Sequence, residues 1–73
     1  MKTEFKYIRF ELIDKKPKTS VYGCYSVRSN DLLAKIAWYG SWRQYCFYPA
    51  CETIFNVGCM NDIIEFIQEL SKK

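Results

Sequence analysis

Apolar and polar positions along the chain follow period two over its first two-thirds and a helical period over its last quarter. From Glu4 to Ile13 they alternate, with Ile8, Phe10 and Leu12 on one side and Tyr7, Arg9 and Glu11 on the other, the mark of a half-buried strand. Asp14-Lys15-Lys16-Pro17-Lys18 breaks the pattern, because proline cannot donate to a ladder and the run is solvated. Thr19 to Arg28, rich in Val, Tyr, Thr and Ser, predicts a second strand, followed by a turn at Arg28-Ser29-Asn30-Asp31. Leu32 to Tyr39 predicts a third strand, and Gly40-Ser41 turns it into a fourth, Trp42 to Tyr48, which Pro49 ends. Thr53 to Asn56 offers a short fifth extension. Cys59, Ile63, Phe66, Ile67 and Leu70 then repeat at helical spacing, so a helix is expected over about 59–71. Asp62 near its start and Lys72-Lys73 at its end suit the helix dipole.

The expected fold is α+β: an antiparallel meander of four strands, or five with the extension, over about 4–56, with the C-terminal helix on one face. Pairing parity sorts the side chains. A two-residue turn at Gly40-Ser41 puts Ala34, Ile36 and Trp38 on one face with Tyr45 and Phe47. Lys35, Ala37 and Tyr39 then share the other face with Trp42, Gln44 and Cys46. A turn at Ser29-Asn30 adds Val21, Gly23, Tyr25 and Val27 to the first face, and Tyr22, Cys24 and Ser26 to the second. The first face is the more apolar and suits the helix. Ile36, Phe47, Ile63 and Ile67 are expected to meet there, with Trp38 in the core. No segment remains to cover the second face. A slip of one residue would exchange the two sets.

Composition narrows the function. Seventy-three residues make one small domain, residues 1–73, and 18% of them are aromatic, so aromatic burial carries much of the core. There is no His, which removes the commonest general base and metal ligand together. Net charge is +3, too small to announce a nucleic-acid binder. Its distribution is polar: residues 1–48 hold nine Lys/Arg against four Asp/Glu, and residues 49–73 hold two against four. No apolar run is long enough to span a membrane, and the N-terminal residues show no apolar signal core, so a cytoplasmic setting is expected. The four cysteines, Cys24, Cys46, Cys51 and Cys59, contain no C-x-x-C knuckle and read as reduced structural thiols. No catalytic residue, metal site or cofactor is expected. Glu65 and Glu69 read as a solvated helix edge, and Lys15-Lys16-Pro17-Lys18 as a solvated loop.

Leu33-Ala34-Lys35-Ile36-Ala37-Trp38-Tyr39-Gly40-Ser41-Trp42-Arg43-Gln44-Tyr45-Cys46-Phe47-Tyr48-Pro49, with Thr53-Ile54-Phe55-Asn56 and the helix behind it, resembles a family of small uncharacterised phage and bacterial proteins. These carry a W-Y-x-x-W-R-x-Y-x-F-x-P strand pair followed by a short helix. The resemblance covers roughly the last two-thirds of the chain. It implies the strand-pair-and-helix fold and a phage-like context, and it brings no catalytic residues.

Trp38-Tyr39-Gly40-Ser41-Trp42-Arg43 is the densest signal. Tyr39 and Trp42 on an uncovered face suit a binding platform, while burial of both Trp residues would make them core. The candidate binding residues are Tyr7, Arg9, Tyr22, Lys35, Tyr39, Trp42 and Gln44. A non-enzymatic binding protein is expected, a phage-type accessory factor meeting a protein partner or a second copy through that face or a strand edge. Single-stranded nucleic acid is the rival ligand, since bases stack on exposed aromatics and phosphates meet Lys and Arg. A small-ligand sponge with a pocket between copies is the third option.

Overall fold

The computed structural model describes residues 2–72. Four strands form one sheet, β1 (Ile8–Lys15), β2 (Ser20–Ser26), β3 (Leu32–Tyr39) and β4 (Gln44–Pro49), and one helix follows, α1 (Val57–Ser71). Every neighbouring pair is antiparallel and the spatial order is β1-β2-β3-β4, the meander the pattern predicts. α1 packs on one face.

Several boundaries differ from the sequence expectation. The chain turns between Phe5 and Ile8, so the first strand begins at Ile8 and not at Glu4 (Phe5 N–H to Ile8 C=O, 2.9 Å). Residues Thr3 to Phe5 fold back along the strand instead, through a Glu4–Arg9 bridge and a 2.8 Å bond from Phe10 N–H to Thr3 C=O. At the other end β1 continues through Asp14 and Lys15, because a bulge between Leu12 and Asp14 absorbs the change of period. Thr53–Asn56 adds no strand. That segment leads to the helix, which starts at Val57 because the Asn56 side chain accepts the Cys59 N–H at 2.7 Å and caps the first turn. No acidic residue occupies that first turn, since Asp62 lies one turn further on. Lys72 is the C-cap and pairs with Glu69 at 3.3 Å, while Lys73 lies outside the described residues.

The core forms where the strands' apolar side meets the helix stripe. Ile8, Phe10, Cys24, Ala34 and Ile36 of the sheet are buried against Cys59, Ile63, Phe66 and Leu70 of α1. Phe66 is fully buried at its centre, stacked on Phe10 (3.9 Å between centroids) and edge-on to Tyr22 (5.1 Å). Phe47 and Ile67 pack at the margin of this cluster with Ile36 and Ile63, as the two periodicities imply.

The face assignment of β2 is the reverse of the sequence expectation. Tyr22 pairs with Ile36 and Cys24 with Ala34, one residue out of the register that a Ser29-Asn30 turn would set. The connection is longer, with Asn30 in the left-handed region (φ 66°), and a further shift between Cys24 and Tyr25 accommodates it. The slip puts Cys24 into the core and Tyr22 against it, edge-on to Phe66. Gly23, which has no side chain to bury, goes to the other face with Tyr25. The slip thus exchanges Val21, Gly23 and Tyr25 for Tyr22 and Cys24 on the helix side.

Candidate interaction surface

The face of the sheet away from α1 carries Arg9 and Glu11 from β1, Gly23 and Tyr25 from β2, Lys35, Ala37 and Tyr39 from β3, and Gln44, Cys46 and Tyr48 from β4. No described element lies over it. On its β1 side the groups are tied to one another. The Arg9 guanidinium lies 4.7 Å from the Tyr25 ring centroid, its Nη1 donates to Glu11 Oε2 at 3.0 Å, and its Nη2 donates to Asn30 Oδ1. Only 23% of the Arg9 side chain is exposed, and Glu11 balances its charge. Arg9 therefore builds the face and is not a free anion ligand.

The β3–β4 half is more open. Tyr39 meets the Trp42 ring edge-on, with centroids 5.0 Å apart and planes at 83°. Trp42 is 66% exposed. It stands in the turn Gly40–Arg43 and not in the fourth strand, because the hairpin loop has four residues and β4 starts at Gln44. Trp42 N–H donates to Tyr39 C=O at 3.2 Å, and Arg43 closes the turn at φ 54°, a left-handed conformation that L residues seldom adopt. Residues of β3 and β4 consequently pair as Ala37 with Cys46 and Tyr39 with Gln44, two positions from the two-residue-turn register but with the same face parity. Lys35 stands mid-sheet between Gly23 and Tyr48, and among the described residues no carboxylate pairs with it. Beside it lies a hollow of about 410 Å³ lined by Leu32, Ala37, Tyr48, Pro49 and Ala50.

The structure thus gathers Tyr39, Trp42 and Gln44 at one end of the face, with Lys35 four residues further along β3 and Arg9 across the sheet. Tyr22 does not belong to it, being half-buried on the helix side and packed on Phe66 at the margin of the core. Tyr7 stands at the far corner, in the bend before β1, half-exposed and with Lys6 Nζ 5.2 Å from its ring centroid. Tyr25 and Tyr48 belong to the face and were missed. Tyr48 has the parity of Gln44 and Cys46, which was enough to find it, whereas Tyr25 is placed by the slip in β2. Trp38 also departs from its expected core position. It lies on the helix side but is 43% exposed, packed edge-on to Tyr45 at 5.4 Å beside a cavity of about 590 Å³ at the C-terminal end of α1.

The thiols divide in the same way. Cys24 and Cys59 are buried in the core, Cys46 is half-buried on the open face, and Cys51 is exposed. Burial, and secondarily the neighbouring Cys59, pushes the Cys24 thiol from 9.0 up to about 12, so it stays protonated and unreactive. Among the described residues no three His, Cys, Asp or Glu side chains come together as a metal site, and no helix is long and apolar enough to cross a membrane. Neither a protein-family model, nor a curated protein, nor a solved structure matches this chain.

Proposed function

We propose that this chain is a non-enzymatic binding protein whose open sheet face receives a protein partner, with Trp42, Tyr39 and Lys35 as its anchors, in a cytoplasmic setting. The observation that supports this reading is the one-sided sheet: a helix covers one face, and an aromatic, sparsely charged face is left with no described cover. Trp, Tyr and Arg are the residues that concentrate binding energy at protein interfaces. The phage-type accessory role rests on the hairpin resemblance alone.

Single-stranded nucleic acid fits less well, because strand binding draws on several free cations along a groove. Arg9 is neutralised by Glu11, which leaves Lys35 on the face, while Arg43 lines the cavity on the helix side. Titration of Trp42 fluorescence with a mixed-sequence oligonucleotide at low salt tests the choice. The expected result is no change, with lysate cross-links from the parent protein that are lost together in Trp42→Ala and Lys35→Glu. Saturable, salt-sensitive quenching by the oligonucleotide would replace the protein reading with the nucleic-acid one.

A further inference from the structure

The two edges of the sheet are built differently. Along β1, Thr3 to Phe5 cover the stretch at Arg9 and Phe10, and beyond them the strand bulges and carries Glu11, Asp14 and Lys15. A bulge, charges and a covering segment are the devices that keep an edge from recruiting another strand. β4 has no bulge and no charge; Pro49 stands only at its end, and Phe55 of the segment that follows packs edge-on against Phe47 at 5.2 Å on the helix side. Gln44 to Cys51 contains no charged residue, its ladder with β3 is regular, and no described strand lies on its outer side. The 2.9 Å bond from Ala50 N–H to Leu33 C=O sets the phase of that ladder. Gln44, Cys46 and Tyr48 therefore turn their backbone groups toward β3, and those of Tyr45 and Phe47 point outward.

The helix shows the same asymmetry. Phe66 leans toward β1 and β2, where it meets Phe10 and Tyr22. The opposite flank, with Met60, Ile64, Ile67 and Ser71 spaced at i, i+4, i+7 and i+11, lies on the β4 side, and Ser71 lines the cavity there with Gln44 and Tyr45. Val57, Met60 and Ile64 on this flank are 69%, 47% and 52% exposed. Helical spacing sends Glu65 and Glu69 to the other flank.

We propose that β4 pairs antiparallel with β4 of a second copy, joining the sheets into one of eight strands with both helices on the same face. A second copy fits because the edge is self-complementary. A two-fold contact sets like charges near the axis against their own copies, and neither the strand nor the adjoining helix flank carries a charge. With the axis at Cys46, Tyr45 of each protomer opposes Phe47 of the other, and all four outward N–H groups find a carbonyl. The two Cys46 residues face each other as a non-hydrogen-bonded pair with Cα atoms about 4.5 Å apart, within the span of a disulfide. Above the seam, Met60 and Ile64 of the two helices meet. The inference does not rest on the open-face reading.

Sedimentation equilibrium over a concentration series tests it, with three proteins compared. The parent chain is expected at twice the chain mass. Ile64→Glu should weaken the dimer at least about tenfold, since two carboxylates would then meet at the seam. Lys35→Glu, on the open face, should leave it unchanged. Register is read separately in Cys51→Ser, where Cys46 is the remaining accessible thiol. Diamide should link two chains there: two thiols give up two protons and two electrons, one S–S bond forms, and the diamide is reduced to its hydrazine. Adding Cys46→Ser should abolish the link. A monomer at every concentration, a dimer indifferent to Ile64→Glu but broken by Lys35→Glu, or failure of the Cys46 link would each overturn the proposal.

Discussion

Tyr25 lies across Gly23, close enough that a Cβ built on the glycine would stand 2.7 Å from its ring. The pair occupies one face of β2, and the Arg9 guanidinium holds the ring from the neighbouring strand. A glycine inside a strand costs conformational entropy, and here the space it leaves is filled by an aromatic ring. Gly23→Ala would lift the Tyr25 ring off the sheet and away from Arg9. Alanine is worth about 0.5–1 kcal/mol over glycine inside a strand, but overpacking costs about 1–3 kcal/mol. A net loss of about 1 kcal/mol is expected in urea denaturation. A variant as stable as the parent would mean that Tyr25 yields its position freely.

The sheet–helix contact sets a second expectation. Phe66 has no exposed surface and is stacked on Phe10, whereas Ile67 sits at the edge of the same cluster. Phe66→Ala should cost about 3–5 kcal/mol, the range for a buried aromatic truncated to alanine. For a domain of this size that approaches its whole stability. Ile67→Ala should cost clearly less. Chemical denaturation of both variants checks the order, and equal losses would mean that the helix is not seated on Phe66.

Strand count, helix and most of the core were legible in the sequence because each follows from a period. Ile8, Phe10, Ala34, Ile36, Ile63, Phe66 and Leu70 sit where alternation or helical spacing puts them. What escaped was set by turns. Parity carries a face assignment across a hairpin only when the loop length is known to the residue. The Gly40–Arg43 loop differs from the expected one by two residues, which preserves parity, so Lys35, Tyr39 and Gln44 kept their face. The β2–β3 connection, with its positive φ at Asn30 and its bulge, differs by an odd number, so Tyr22 and Tyr25 exchanged sides. No residue in that stretch announces the bulge. The apolar helix flank at Met60 and Ile64 was present in the spacing, but a core stripe already accounted for the helix.

Trp42 and Trp38 differ in what truncation should do. Trp42 is mostly solvated and touches Tyr39 in its own hairpin, so Trp42→Ala should change stability by less than about 0.5 kcal/mol. Trp38→Ala should cost more, because it removes the packing on Tyr45, whose hydroxyl also accepts the Ser20 N–H at 3.2 Å. Acrylamide quenching read on the two single-Trp proteins should be stronger for Trp42. Equal protection of both indoles would place Trp42 in a buried contact, and a large stability loss in Trp42→Ala would remove it from the list of surface anchors.

Cys24 gives the chain a defined response to alkali. Its thiol, at about 12 in the folded protein against 9.0 for an ordinary cysteine, keeps its proton where the unfolded chain loses it. Between those values the native state holds more protons than the unfolded one, so stability must fall as pH rises. The contribution of this group is complete below about pH 9 and is lost progressively toward pH 12, at up to about 1.4 kcal/mol per pH unit. Other groups titrate in the same range, and a comparison isolates the thiol. Cys24→Ala removes it from the core, so the stability difference between parent and variant should shrink steadily as pH is raised. A difference that stays constant across the window would mean that Cys24 ionises without unfolding the protein. Thiol reagents supply an independent reading at neutral pH: Cys51 and Cys46 should react promptly, and Cys24 and Cys59 only as fast as the core opens.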